Sequence, residues 1–260
     1  MALWSEALAV EARAGRRWRV VGSSVASADG ASIELDPALH LASGVRAYRN
    51  PRFGDWVEAQ LGGNIEYAAR LSREMPSPPA KLTRNLHSLK EWLRLRQRGH
   101  RRLGLVVSSG ATRLVAEGVP TPPTSNDLKV IENWFLKSWP DFRGSDSLEV
   151  PLSEFGCQGL ELDYVGLCWG GDLIWSAGDR KWIPRQMRAP AWRAVRRPES
   201  FRYRLNAYRV LLTRAREGTC IYVPRGAADD PTRSPAELDA IAGVLLQVGC
   251  VDVTDSERHC

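Results

Sequence analysis

Two short stretches of the chain place residues that bind phosphate and hydroxyl groups beside turns. In the first, Arg214 lies near the end of a predicted helix that leads directly into a predicted strand. In the second, Gly159 permits a close approach of the backbone, and Glu161 offers a carboxylate to a hydroxyl group. Arginine is the better bidentate ligand for phosphate oxygens. Taken alone, Arg214 would equally fit a solvated arginine beside the dipole of a helix C-terminus.

The elements that position Arg214 are predicted from hydrophobic periodicity. Apolar residues recur at helical spacing at Leu205, Tyr208, Leu211, Leu212 and Ala215. Gly218 stands where this helix would end, since glycine adopts the left-handed C-terminal conformation at the least cost. A short buried strand is then predicted at residues 219–223. The turn with Gly159 lies between predicted strands at residues 148–152 and 164–168.

The segment Thr213-Arg214-Ala215, followed at once by a strand, resembles motif VI of superfamily 1 helicases. The sequence Gln158-Gly-Leu-Glu161 resembles motif V of the same proteins. The resemblance implies that Arg214 is an arginine finger at the γ-phosphate of ATP bound between two RecA-like domains. It also implies a set of nucleotide-facing residues, namely Gln158, Gly159, Glu161 and Thr213. Gln158 could contact either ATP or nucleic acid.

A third segment, upstream, resembles motif IV, whose arginine also reaches the γ-phosphate. A predicted strand at residues 38–45 leads into Arg46, which fits best by its distance from the strand, and Arg49 is the alternative. Both arginines would equally fit surface positions that flank a turn. We expect Arg46, Glu161 and Arg214 to share one face at the carboxyl edge of a parallel sheet. The two arginines should be partly exposed there, because buried cations without partners are poorly stabilised.

The order of these segments, together with Glu132-Asn-Trp-Phe135 and Cys168-Trp-Gly-Gly-Asp172, is similar to the Schlafen-type DNA/RNA helicase domain family of bacteria. On this resemblance, residues 15–247 or so match the C-terminal part of the family's domain. The sequence has no Gly-Lys dipeptide and therefore no Walker A motif. We therefore expect a truncated helicase that binds ATP with Mg²⁺ only together with a P-loop-bearing N-terminal domain or chain.

Strands that alternate with helices predict an α/β fold with a largely parallel sheet covered by helices on both faces. The resemblance implies that this fold is RecA-like. We expect a single domain over residues 1–250 and a polar tail at residues 251–260. An irregular insertion rich in tryptophan and arginine is expected at about residues 170–198.

A nucleic-acid partner, DNA or RNA and single-stranded, is implied by the resemblance and fits two basic regions. Arg96, Arg98 and Arg101 form a cluster after a predicted helix, where they suit contacts to a phosphate backbone. They also suit a solvated helix end. Trp182 lies among the cations of the insertion, where its ring would stack on a base. The alternative is that the tryptophans of the insertion pack on the domain while its arginines extend to solvent.

Composition places few limits on the function. The net charge of +6 permits a polyanionic partner without requiring one. No apolar run approaches the roughly 18 residues of a membrane span, and no signal pattern opens the chain, so we expect a cytoplasmic protein without a membrane partner. The 5 cysteines show no metal-ligand spacing, which predicts reduced thiols and no metal site.

The resulting hypothesis is the C-terminal motor domain of an ATP-dependent DNA/RNA helicase or translocase. The alternative is a non-catalytic nucleic-acid-binding or regulatory module that retains the helicase fold. A metal-dependent nuclease is disfavoured, because the sequence contains no Glu-x-Lys.

Overall fold

The computed structural model describes residues 9–16, 18–22, 33–36, 50–124 and 127–253. The chain forms two compact units, Met1–Gly44 and Val45–Cys260. In the first unit, residues 9–13 are helical, and β1 (Val20–Gly22) pairs in parallel with β2 (Ile33–Leu35). The expected strand at residues 38–45 lies outside the described residues, and one domain over residues 1–250 stays a prediction.

The second unit is built on a sheet of six parallel strands. In chain order these are β3 (Lys81–Thr83), β4 (Leu103–Val107), β5 (Leu152–Ser153), β6 (Leu162–Cys168), β10 (Ala215–Tyr222) and β11 (Val251–Asp252). In space the order is β11-β3-β10-β6-β4-β5, and every neighbouring pair is parallel. The expected polar tail therefore begins with an edge strand.

Helices cover both faces of this sheet, because successive strand residues point to opposite sides. The helices are α1 (Phe53–Leu61), α2 (Ile65–Glu74), α3 (Leu86–Arg94), α4 (Leu128–Leu136), α5 (Pro198–Leu212) and α6 (Pro235–Gln247). In β4, Leu105 joins the core beneath α3, whereas Val106 joins the core beneath α1, α2, α5 and α6. The predicted α/β arrangement is confirmed and is consistent with a RecA-like fold. No helix in the described ranges is both long and apolar enough to cross a lipid bilayer.

The prediction of an irregular insertion is wrong. Residues 173–194 form an antiparallel sheet of β7 (Leu173–Ser176), β8 (Lys181–Arg188) and β9 (Ala191–Ala194). In β8, buried residues such as Trp182 alternate with more exposed ones, which is the period-two pattern of a strand with one covered face. The Trp182 ring lies 5.0 Å from that of Trp169 and 5.2 Å from that of Trp175. This aromatic packing holds the small sheet on the domain.

The predicted end of the Arg214 helix is also wrong. Helix α5 ends at Leu212, and the chain enters β10 at Ala215, so Arg214 belongs to a sharp connection. Gly218 lies inside β10 next to a register shift. A Cβ atom there would lie 3.2 Å from the ring of Tyr164, so this glycine serves close packing within the sheet.

The core around β4 has no room for an additional methyl group at Gly104. A Cβ atom at this position would lie 2.5 Å from Cζ2 of Trp134, which is itself buried. We predict that Gly104→Ala lowers the free energy of unfolding by about 1–3 kcal/mol through overpacking, measured by urea unfolding. The matched control is Gly243→Ala in α6, where nothing lies within 4 Å of the new methyl group. That change should raise stability by about 0.5–1 kcal/mol, and equal effects of both substitutions would contradict the packing argument.

Candidate functional site

A cavity of about 780 Å³ lies between α5 and the loop that joins β5 to β6. Its wall includes Gln158 and Gly159 from the loop and Arg214 from the connection after α5. Three of the residues predicted from the sequence therefore share one cavity. Since these residues come from separate segments of the chain, the fold itself assembles the site.

Arg214 is buried, with 3% of its surface exposed, which contradicts the expectation of a partly exposed side chain. Its Nη1 donates to the carbonyl oxygen of Leu160 at 2.9 Å. The residue immediately precedes β10, and Glu161 immediately precedes β6, so both lie at the amino edge of the sheet. The expected meeting at the carboxyl edge was wrong, because α5 runs back along the sheet before Arg214 is reached.

The loop residues differ in what they offer to a ligand. Gly159 has φ +83°, and nothing lies within 4 Å of a Cβ atom built on it, so its backbone is open to close approach. Glu161 instead forms an ion pair with Arg216, which holds its carboxylate away from the described wall of the cavity. The hydroxyl of Thr213 donates to the carbonyl oxygen of Arg209 at 2.8 Å and thereby caps the end of α5. Glu161 and Thr213 thus have structural partners that the sequence does not reveal.

A buried polar cluster supports the other end of the cavity, and sequence reasoning missed it. Asp172 is fully buried and forms an ion pair with Arg204, with an N–O distance of 2.9 Å. The hydroxyls of Ser108 and Tyr208 donate to the Asp172 carboxylate at 2.6 and 2.7 Å. Burial raises the pKa of Asp172, which Arg204 opposes, and burial also raises the pKa of Tyr208. The available signal was an aspartate soon after a buried strand, with Arg204 and Tyr208 four residues apart on one helix.

The cavity extends from this cluster towards the amino edge of the sheet. Near the cluster it is lined by Ser109 and Glu154, and the Ser109 amide and hydroxyl donate to the Glu154 carboxylate at 2.8 and 2.7 Å. Two large aromatic side chains also line it while remaining exposed, Phe155 at 59% and Tyr203 at 71%. Exposed aromatic rings beside arginine suit a ligand that has both flat and anionic parts.

The predicted nucleic-acid residues do not form one free basic surface. Arg96 is half-buried, lies 3.9 Å from the centre of the Trp92 ring and donates to the Trp92 carbonyl oxygen at 2.8 Å. Burial lowers the pKa of Arg96. Arg101 forms an ion pair with Glu217 at 3.3 Å, so of these three arginines Arg98 alone is exposed.

The remaining two predicted site residues have simple outcomes. Trp182 is 2% exposed, and its Nε1 donates to the carbonyl oxygen of Gln60 at 2.7 Å. The prediction that Trp182 stacks on a base is wrong, because its ring is buried against other side chains of the domain. Arg46 and its alternative Arg49 lie outside the described residues. Within the described ranges, no group of three or more His, Cys, Asp or Glu side chains could hold a metal ion.

Comparison with known families matches residues 12–225 to the model of the Schlafen group 3 DNA/RNA helicase domain. The chain belongs to this family. The matched residues include the loop with Gly159, the antiparallel sheet, α5 and Arg214. No curated protein and no solved structure matches the chain. Family membership supports a helicase-like function related to nucleic acid.

The buried cluster predicts a large effect on stability when its carboxylate is removed. Asp172→Ala leaves the Arg204 guanidinium, whose side chain is 17% exposed, without its counter-ion. We predict a loss of about 3 kcal/mol or more in the free energy of unfolding, since a charge stranded in the interior is poorly solvated. Tryptophan fluorescence during urea unfolding measures this change in the free energy of unfolding. The control is Glu66→Ala, which breaks an exposed ion pair with Arg180 and should cost about 0–1 kcal/mol. A similar small loss for Asp172→Ala would show that the cluster does not hold α5 in place.

Proposed function

We propose that this chain is the second motor domain of a superfamily 1 helicase or translocase that uses ATP and acts on DNA or RNA. The observation that carries the proposal is the convergence of Gln158, Gly159 and Arg214 on one cavity of a helicase-family domain. These residues belong to the two segments that resemble motifs V and VI. Their meeting in three dimensions is what a shared nucleotide-facing role requires.

The residues of the cavity fit the phosphate groups of a nucleotide. Gly159 leaves open space in front of its backbone, and Arg214 provides a cation whose position is fixed by its bond to Leu160. A cation held in a largely water-excluded site stabilises developing negative charge more effectively than one in water, and it needs no reorganisation. ATP would supply the phosphoryl group, and Arg214 would neutralise charge on it.

A partner must provide the other half of such a site. The sequence contains no Walker A motif, and the described residues contain no group of three or more His, Cys, Asp or Glu side chains that could hold a metal ion. The P-loop lysine and the Mg²⁺ ligands would therefore come from a RecA-like domain that carries a P-loop, placed against the face with Arg214. The buried position of Arg214 is compatible with this role only if that face adjusts or if the phosphate enters the cavity.

A second candidate function has its own supporting observation. Phe155 and Tyr203 expose their rings within the same cavity, where unstacked bases would find flat apolar partners. In addition, Glu161 is occupied by Arg216 rather than open to a ribose. These contacts favour a nucleic-acid-binding module that retains the helicase fold and binds its ligand without ATP.

The motor-domain proposal predicts that the chain alone does not turn over ATP. The P-loop lysine, which contacts the transferred phosphates, is absent from the sequence. Phosphate release should stay at the buffer background with and without single-stranded nucleic acid. Turnover that co-purifies with the chain through successive columns and survives at constant specific activity would contradict the prediction.

We predict that Arg214 is required for ATP turnover when a RecA-like domain that carries a P-loop is added to the chain. Arg214→Ala should lower the rate by about 10³-fold or more, because an arginine finger acts on the transition state. Nucleotide affinity, measured with a fluorescent ATP analogue, should change far less than the rate.

The control for this test is Arg73→Ala, which removes an exposed arginine outside the cavity. Thermal melts of both variants identify any loss of folding. A folded Arg214→Ala protein that turns over ATP at the wild-type rate would remove Arg214 from the nucleotide site and leave the module as the better description.

A further inference from the structure

A second groove, of about 850 Å³, opens on the antiparallel sheet and the start of α5. Four arginines line it, namely Arg188, Arg193, Arg196 and Arg197. They come from the end of β8, from β9 and from the turn into α5, and all four side chains are exposed. We call this feature the arginine groove.

The arginines of the groove differ from most others in the same unit. Arg180, Arg185 and Arg209 form ion pairs with Glu66, Glu237 and Glu58, respectively. In the part of the chain that the structure describes, no ion pair or side-chain hydrogen bond involves the four groove arginines. Four like charges close together repel one another, so an anionic partner that neutralises them gains free energy.

The strands beneath the groove are firmly held. Trp192 of β9 donates from its Nε1 to the carbonyl oxygen of Thr232 at 2.7 Å, and Arg185 lies 5.1 Å from the centre of its ring. Arg185 is in turn paired with Glu237 through two hydrogen bonds of 2.8 and 2.9 Å. The groove arginines therefore project from a scaffold whose own polar groups are satisfied, which suits a preformed binding surface.

The groove is continuous with the candidate cavity described above. Gln186, Val195 and Ser200 line both of them. A chain-like ligand lying in the arginine groove would thus reach Phe155 and Tyr203, whose rings are exposed in the cavity. Cations along one segment of a path and aromatic rings along the next are the two features that bind single-stranded nucleic acid.

We propose that the arginine groove binds the sugar-phosphate backbone of single-stranded DNA or RNA, whose adjoining bases stack on Phe155 and Tyr203. This assignment rests on the nucleic-acid part of the proposed function and not on the ATP site. Guanidinium groups match phosphate geometry through paired hydrogen bonds. A single strand is required because the bases of a duplex are already stacked and cannot meet a protein ring.

The test measures binding of a fluorescein-labelled oligothymidylate of about 16 nucleotides by anisotropy over a range of salt concentrations. The groove variant combines Arg188→Gln, Arg193→Gln, Arg196→Gln and Arg197→Gln. Each phosphate contact to a single strand contributes about 0.7 to the slope of log affinity against log salt. The variant should therefore bind more weakly, with a slope smaller by up to about 2.8.

A charge-matched control separates the groove from general electrostatics. It carries Arg70→Gln, Arg73→Gln, Arg94→Gln and Arg225→Gln, all at exposed arginines outside the groove. Its slope should stay close to that of the unmodified chain. A loss of binding in this control instead of in the groove variant would overturn the proposal.

The stacking part of the proposal has a different signature. Phe155→Ala and Tyr203→Ala should each weaken binding by about 5-fold to 150-fold without changing the salt slope, because neither residue contacts phosphate. Circular dichroism melts confirm that each variant is folded. An unchanged affinity in both folded aromatic variants would overturn the proposed path into the cavity.

Competing ligands complete the test. Oligouridylate and oligothymidylate distinguish RNA from DNA as the preferred strand, and either one supports the groove. Equal binding of a duplex of the same length, or of polyglutamate, would overturn it. If the chain bound no nucleic acid, the groove proposal would fall, whereas the ATP-site proposal would still stand or fall on turnover in Arg214→Ala.

Discussion

The arrangement of the candidate cavity and of the arginine groove depends on the buried ion pair of Asp172 and Arg204. It joins helix α5 to the residues that follow β4 and β6, with Ser108 and Tyr208 saturating the carboxylate. A buried charge pair gains little over an apolar contact, but breaking it strands a charge in the interior, which opposes any shift of α5 that would separate the two groups. Gly110 shows how closely that geometry is specified, because a Cβ atom there would lie 2.3 Å from the Arg204 guanidinium. Helix α5 forms a wall of the candidate cavity and of the arginine groove. The ion pair therefore fixes the rotation of this helix and its position along the sheet.

The consequences of fixing α5 appear at its other end. The helix has 15 residues, and its last turn delivers the chain to the amino edge of the sheet. There Arg214 bonds to Leu160, which ties the connection after α5 to the loop between β5 and β6. The two segments that resemble motifs V and VI are thus joined by a hydrogen bond from a side chain to the backbone, and they also line the same cavity. An altered position of α5 at Arg204 would be transmitted along the rigid helix to Arg214.

Sequence reasoning found the segments but not their contacts, and the reasons are physical. The strand predicted at residues 164–168 lies within β6, because a run of consecutive buried residues is recognisable in the sequence. The end of α5 was not predictable, because Ala215 continues the helical pattern and Gly218 fits a helix end, while both residues in fact pair with strand β6. Glu161 illustrates the same limit, since its ion pair with Arg216 joins residues 55 positions apart. Burial of Trp182 likewise depends on Gln60, far away in the chain.

The arginines of the chain fall into a group that stabilises the fold and a group that is available to a ligand. The arginines that hold elements together, such as Arg185 and Arg204, are paired with carboxylates and are largely shielded from solvent. Arg193 and Arg196 are exposed and make no such contact within the described structure, so folding gains little from them. Their mutual repulsion is a cost that the folded chain carries unless an anion is present. Exposed arginines that repel one another in the free protein and line a groove are best explained by an anionic ligand that neutralises them. A phosphate backbone neutralises several of them at once.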